Sequence, residues 1–171
     1  ANPAFSPNPA KAPWYFMGLQ ELLIHFHPLF AVFILPVTVL VAAVWMPYIK
    51  STDRNQGVWF LSPAGIRSAR MAAATGMIMA IIFITMSEIL PDPEVLLPEV
   101  TPLLTTGLVP FILAAGTVWL LLKYLRRRYS LKRSEMIQSI VVLMVVSYAV
   151  LTVTGIFFRG GGMNLVWPWN V

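Results

Sequence analysis

Apolar residues dominate four long stretches of the chain in which no Asp, Glu, Lys or Arg occurs. These stretches cover residues 22–49, 71–87, 101–122 and 136–158. A helix needs roughly 20 apolar residues to cross a bilayer. Each stretch can therefore supply one membrane span, and none is long enough to supply two. The pattern predicts an all-α, polytopic membrane protein with about four transmembrane helices.

The first apolar stretch is too long for one straight helix, and Pro28 offers a break within it. We interpret residues 14–27 as a short amphipathic N-terminal helix at the membrane interface and residues 29–48 as the span that follows. Pro36 lies within this span and Pro110 within the third, and an interior proline disrupts helical hydrogen bonding. Both spans are therefore predicted to be kinked.

Composition agrees with a membrane protein. The chain is 58% apolar and 11% charged, with a mean hydropathy of +0.75, whereas a soluble domain carries about 25% charged residues. The sequence contains no cysteine, which excludes disulfides, thioether attachment of haem and a thiol nucleophile. We treat residues 1–171 as a single membrane domain.

The charged residues alternate in sign from one loop to the next. The first and third loops are basic, with one acid each, while the loop between them has acids and no base. The basic residues are Lys50, Arg54, Arg67, Arg70, Lys123, Arg126, Arg127, Arg128, Lys132 and Arg133, and the acids of the middle loop are Asp92, Glu94 and Glu99. Short basic loops remain in the cytoplasm. The pattern predicts a multi-pass protein of a bacterial inner membrane with both termini on the outer side. Anionic lipid is a secondary interpretation of the basic run, and nucleic acid is not needed as a partner.

Two further patterns concern packing and anchoring. Ala72, Gly76 and Ala80 recur at four-residue spacing in the second span, which is typical of a helix that another helix approaches closely. Ordinary small residues of a membrane helix are an equally good interpretation. Trp167 and Trp169 follow a glycine-rich turn and are predicted to anchor the tail at the interface.

Candidate chemistry is confined to few side chains. Glu21 and His25 are four residues apart and share one helical face. A carboxylate and an imidazole at a membrane interface can accept and pass on protons, as oxidation of a quinol requires. The competing interpretation is the solvated face of an interfacial helix. Glu88, near the outer end of the second span, either reaches water or lines a proton exit.

No metal site or nucleotide-binding loop is visible. His25 and His27 are two residues apart, so they point to different sides of one helix and cannot together hold one haem. At most one of them could be an axial ligand with a partner from elsewhere.

The run Pro13-Trp14-Tyr15-Phe16 resembles the Pro-Glu-Trp-Tyr-Phe loop of the cytochrome b family. Residues 8–23 resemble the same loop in the C-terminal, subunit-IV-like half of bacterial menaquinol–cytochrome c reductases. Pro28 and residues 46–49 follow in the order of that family, and residues 157–160 and 164–169 resemble its tail. The resemblance covers residues 1–50 and 157–171. Residues 67–133 contain two transmembrane helices without an assigned counterpart.

This resemblance implies a subunit of a respiratory or photosynthetic quinol-oxidising complex, not an enzyme by itself. Trp14, Tyr15 and Phe16 would line the outer-side site for a quinol, expected to be menaquinol. A haem-bearing cytochrome b partner would hold haem b, and Rieske or cytochrome c-type subunits would complete the complex.

The chain departs from the family at its proton acceptor. The family's glutamate aligns with Pro13, and we expect Glu21, with His25, to take its place. The alternative is a membrane anchor or packing subunit without chemistry. A transporter ranks third, because no charged residue lies in the middle of a span.

Overall fold

The computed structural model describes residues 11–48, 58–60, 62–90 and 99–170. Some residues of the sequence patterns lie outside this part of the chain: residues 8–10 and 49 of the family-like segments, Lys50, Arg54 and the single acid Asp53 of the first loop, and Asp92 and Glu94 of the second. Within the described part the chain is helical, with one isolated β-bridge between Arg159 and Leu165. The predicted all-α class is thus confirmed for these residues.

Five helices form the described part. They are α1 (Met17–His25), α2 (Leu29–Trp45), α3 (Pro63–Ile89), α4 (Leu103–Tyr129) and α5 (Arg133–Phe157). Single 3-10 turns cover Trp14–Phe16, Met46–Tyr48, Gly161–Met163 and Pro168–Asn170.

Three of these helices, α3, α4 and α5, are long and apolar enough to cross a membrane. Helix α2 is apolar but only 17 residues long. The structure therefore supports a membrane protein with three helices of spanning length. A fourth span at α2, and an interfacial position for α1, remain predictions.

The break expected at Pro28 is present, because Phe26 leaves the helix with extended backbone angles and α2 begins beyond Pro28. Each of the two interior prolines follows a helical turn that is wider than an α-helical turn. The first turns of α2 and α4 are π-helical, over Leu29–Ile34 and Leu103–Leu108, and each ends two residues before a proline. A proline ring clashes with the carbonyl four residues earlier, and a wider turn relieves such a clash.

Helices α3 and α5 pack closely against each other. A Cβ on Gly76 would lie 2.7 Å from the backbone oxygen of Leu143, and the Ser147 hydroxyl donates to the Gly76 carbonyl at 3.1 Å. Ala72, Gly76 and Ala80 are all buried. Of the two interpretations of these small residues, the structure favours the close helix contact.

Polar contacts fix the starts of α3 and α5 beside each other. Ser62 caps α3 by accepting the Gly65 N–H and donates its hydroxyl to Glu135. Glu135 also accepts the Lys132 N–H at 3.2 Å, so it closes the first turn of α5. The two helices therefore begin at one end and run in the same direction.

The opposite end of the molecule gathers α1, the starts of α2 and α4, and the residues after α5. Helix α1 lies on the last turns of α5, where a Cβ on Gly155 would be 3.2 Å from Met17. The His27 N–H donates to the Thr106 carbonyl at 3.0 Å, which joins α2 to α4 at their first turns. Four ionisable side chains meet at this end.

Candidate functional site

The charge cluster consists of Glu21 and His25 on α1, Glu88 near the end of α3, and Arg159 just beyond α5. Glu21 is 0% exposed and Arg159 is 1% exposed. Local helix geometry brings Glu21 and His25 onto one face of α1. The parallel course of α3 and α5 places Glu88 and Arg159 at the same end of the bundle.

Arg159 is the centre of the cluster. Its Nε donates to both carboxylate oxygens of Glu21 at 3.1 Å, and its Nη2 lies 2.5 Å from Oε1. Its Nη1 lies 2.5 Å from Glu88 Oε1 and donates to the Met163 carbonyl at 2.9 Å. One guanidinium therefore bridges two carboxylates from different helices, in the planar, multiply bonded geometry that arginine favours.

A tight turn brings the Met163 carbonyl to Arg159. Gly162 and Met163 have φ of 70° and 62°, in the left-handed region, and the Gly160 N–H bonds the Asn164 carbonyl at 3.0 Å. The chain folds back on itself here, in the glycine-rich turn that the sequence indicated. The turn gives the guanidinium a backbone acceptor in addition to its two carboxylates.

His25 completes the cluster on the side of α3. Its Nε2 lies 3.0 Å from Glu21 Oε1 and 3.0 Å from Arg159 Nη2. Its Nδ1 lies 2.6 Å from the Ser87 hydroxyl, which also contacts the Ile84 carbonyl at 2.8 Å. The ring packs edge-on against Phe83, with centroids 5.6 Å apart.

The electrostatic environment keeps the Glu21–Arg159 pair charged. Burial by itself raises the pKa of Glu21, but hydrogen bonds from His25 and Arg159, with the charge of Arg159, outweigh it and hold that pKa below its ordinary 4.5. Burial likewise disfavours charged Arg159, yet the hydrogen bonds to Glu21 and Glu88 raise its pKa. A buried ion pair survives only when its hydrogen-bonding capacity is used. Among the described residues, every buried side-chain nitrogen and oxygen has a partner.

Of the predicted site residues, the structure brings Glu21 and His25 together. The two side chains are 0% and 2% exposed, so they do not form the solvated helix face of the competing interpretation. Trp14, Tyr15 and Phe16 are 72%, 55% and 52% exposed and contact one another in a row. No described hydrogen bond or ring contact joins this aromatic row to Glu21 or His25.

The remaining candidates divide between two places. Glu88 contacts Arg159 while its side chain is 31% exposed, so it both reaches solvent and belongs to the cluster. His27 lies apart from it, and its Nδ1 accepts the Leu29 N–H at 3.3 Å. The two histidines thus have different surroundings.

Sequence reasoning missed Arg159 and Ser87. A usable signal existed for Arg159, because it directly follows the last span on the end predicted to be outer, where basic residues are scarce. An arginine beside the ends of apolar helices needs an acid, and Glu21 and Glu88 were available. Nothing distinguished Ser87 from other small polar residues near a helix end.

Comparison of the chain with protein-family models, with curated proteins and with solved structures finds no match.

Proposed function

We propose that this chain is a membrane subunit of a respiratory or photosynthetic quinol-oxidising complex in a bacterial inner membrane, where it forms part of the outer-side quinol site. The observation that carries the proposal is the buried contact between Glu21 and Arg159. One residue belongs to the family-like N-terminal segment and the other to the family-like tail. The two segments that carry the resemblance are thus in contact, although the two residues are 138 positions apart in sequence.

Oxidation of a quinol releases two electrons and two protons. The Glu21–His25 pair supplies a carboxylate and an imidazole 3.0 Å apart, which is a combination suited to accept a proton. The exposed row Trp14–Phe16 offers aromatic faces against which a quinol ring can stack. In this proposal menaquinol is the substrate, and the missing family carboxylate at Pro13 is replaced from the following helix.

In this proposal, partner subunits carry the electrons away from the quinol. The proposal assigns haem b to a cytochrome b chain and the next carrier to a Rieske or cytochrome c-type subunit. Within this chain the two histidines have separate surroundings, with His25 in the charge cluster and His27 beside α4. This arrangement favours a role for His25 in proton chemistry.

The test is quinol oxidation by the purified complex. Glu21→Gln and His25→Gln are expected to lower kcat about 100-fold or more, because each removes part of the proton acceptor. Glu99→Gln is the matched control, since this carboxylate is exposed and outside the cluster. Haem content and subunit composition must stay unchanged in all three variants.

The rival function is a membrane anchor or packing subunit. The specific observation in its favour is that the cluster joins α1, α3 and the tail. Among the described residues, every buried polar side-chain atom already has a hydrogen-bond partner, as a purely structural contact would require. Normal kcat in assembled complexes carrying Glu21→Gln and His25→Gln would establish the rival and refute the proposed site.

A further inference from the structure

Basic side chains gather at the end of the bundle opposite the charge cluster. This end holds the first turns of α3, the last turns of α4 and the start of α5. The bases are all exposed, namely Arg67, Arg70, Lys123, Arg126, Arg127, Arg128, Lys132 and Arg133. Membrane insertion explains why such residues are kept on one side, but it does not identify the anion that neutralises them.

The described part of the chain offers these bases little negative charge. Its one acid at this end is Glu135, which is 6% exposed and accepts the Ser62 hydroxyl and the Lys132 N–H. None of the arginines at this end forms an ion pair with a described residue. Their positive charge is therefore available to an anion from outside the chain.

Helices α3 and α4 meet at the basic end and separate above it. The Tyr129 hydroxyl of α4 donates to Met71 Sδ of α3 at 3.5 Å. Ile78 and Ile82 follow Met71 on the same face of α3, yet they are 52% and 55% exposed. An open space thus begins one helical turn or two beyond the Met71–Tyr129 contact.

The helices are held apart at their other ends by aromatic side chains. Phe26, just after α1, and Phe30, at the start of α2, belong to one buried cluster. Phe26 contacts Phe83 of α3 with ring centroids 4.7 Å apart, and Phe30 contacts Phe111 of α4 at 5.6 Å. We call the space between these rings and the Met71–Tyr129 contact the α3–α4 furrow.

Helix α4 is packed into the bundle only near the two ends of this furrow. Its buried residues are Gly107, in its first turns, and Leu125, one turn before Tyr129. Between them no residue of α4 is buried. An apolar molecule can therefore lie along the furrow without displacing any part of the described chain.

We propose that the α3–α4 furrow binds one anionic phospholipid of the adjacent leaflet. Its phosphate lies between Arg67 and Arg70 of α3 and the run Arg126–Arg128 of α4, and an acyl chain lies along the furrow against Ile78. Arg67 and Arg70 precede Met71 by four residues and one residue, and the arginine run directly precedes Tyr129. The contact between Met71 and Tyr129 therefore brings both sets of guanidinium groups to one place, and guanidinium is well suited to bind phosphate.

The dimensions of the furrow fit one leaflet. Ile78 lies eleven residues beyond Arg67, which is about 16 Å along a helix, or about half the hydrocarbon thickness of a bilayer. On α4, Trp119 and Tyr124 are 59% and 49% exposed, and the Lys123 ammonium lies 4.6 Å from the Trp119 ring. Such aromatic residues are typical of the headgroup level. This site is separate from the quinol chemistry proposed above and does not depend on it.

Native mass spectrometry of the full chain in neutral detergent measures the binding directly. The chain is titrated with phosphatidylglycerol or with phosphatidylcholine that carries the same acyl chains. Phosphatidylglycerol is expected to bind about tenfold more tightly, because choline cancels the charge that the arginines contact. Arg67→Gln and Arg70→Gln should each weaken phosphatidylglycerol binding about fivefold and leave phosphatidylcholine binding unchanged.

Arg133→Gln is the matched control, because this exposed arginine lies at the same end but at the start of α5, outside the furrow. Screening by salt limits its expected effect to about twofold or less. Equal affinities for the two lipids overturn the proposal. Equal losses in Arg67→Gln, Arg70→Gln and Arg133→Gln also overturn it, because the basic end would then attract lipid as a diffuse surface.

Two further measurements identify the occupant. Inorganic phosphate in excess should not displace phosphatidylglycerol, and displacement would show a site for free anions instead of lipid. A photoreactive benzoylphenylalanine in place of Ile78 should form a phospholipid adduct on irradiation of cell membranes. An adduct with another polypeptide would show that a partner helix fills the furrow, and it would overturn the proposal.

Discussion

Glu21 and Arg159 form a buried ion pair across 138 residues of sequence, with guanidinium nitrogens 2.5 and 3.1 Å from the carboxylate. This pair holds the first helix and the segment after the last helix at one end of the bundle. Because both side chains are removed from water, neither charge is tolerable without the other. The pair is therefore a stability determinant whether or not the cluster handles protons.

Removing Arg159 is expected to be strongly destabilising. Arg159→Gln leaves Glu21 buried without its main partner, which costs about 3–5 kcal/mol in the free energy of unfolding. The double variant Glu21→Gln with Arg159→Gln removes both charges and recovers part of this loss. Unfolding of the chain in mixed micelles at increasing SDS measures each value.

Arg128→Gln is the control for the Arg159 prediction, because Arg128 is exposed at the end of α4. It is expected to change stability by no more than about 0.5 kcal/mol. Strictly additive losses in the Glu21 and Arg159 variants would show that the two side chains are not energetically coupled.

Acid is expected to weaken the docking of α1. The pKa of Glu21 is lowered in the folded chain from its ordinary 4.5. Its ionised form therefore stabilises the fold above pH 4.5, and this contribution disappears as the pH falls through the lower folded value. The difference in Tm between the parent and Glu21→Gln should be constant just above pH 4.5 and shrink below it. A difference that grows on acidification would contradict this sign.

Much of the fold followed from hydrophobic patterning. Three apolar stretches became helices of spanning length, and the break at Pro28 was predicted because the first apolar stretch is too long for one straight helix. The spacing of Ala72, Gly76 and Ala80 offered a close helix contact as one of two equal interpretations, and it did not identify α5 as the partner helix. The π-helical turns were not predicted, since residues alone do not specify how a helix accommodates Pro36 or Pro110.

The candidate site was predicted only in part. Glu21 and His25 are close in sequence, and helix periodicity alone placed them together. Arg159 and Glu88 reach them through tertiary packing, namely the parallel course of α3 and α5 and the turn after α5. Such long-range contacts leave no periodic signal in the chain. Burial of Glu21 was missed for the same reason, because the residues that cover it lie far away in sequence.

Glycine is expected to be essential at one position in the membrane helices and dispensable at another. A Cβ at Gly76 would lie 2.7 Å from the Leu143 backbone oxygen, whereas a Cβ at Gly116 would have no atom within 4 Å. Gly76→Ala therefore forces α3 and α5 apart and should cost about 1–3 kcal/mol. Gly116→Ala replaces a residue with low helix propensity by one with high helix propensity. It should therefore be neutral or raise the free energy of unfolding by up to about 1 kcal/mol. The SDS titration compares the two, and equal effects would refute the close contact at Gly76.

The end of the bundle that carries the charge cluster is expected to face outward. The structure places Ser130, between α4 and α5, at the end where α3 and α5 begin, and the tail with Trp167 at the end of the charge cluster. Exposed basic residues Arg126, Arg127 and Arg128 precede Ser130, and such residues are retained in the cytoplasm.

Because the chain has no cysteine, Ser130→Cys and Trp167→Cys each create a single thiol at an exposed position. A membrane-impermeant maleimide should label Trp167→Cys in intact cells and Ser130→Cys only after permeabilisation. The reverse labelling would place the charge cluster on the cytoplasmic side, where an outer-side quinol site is impossible.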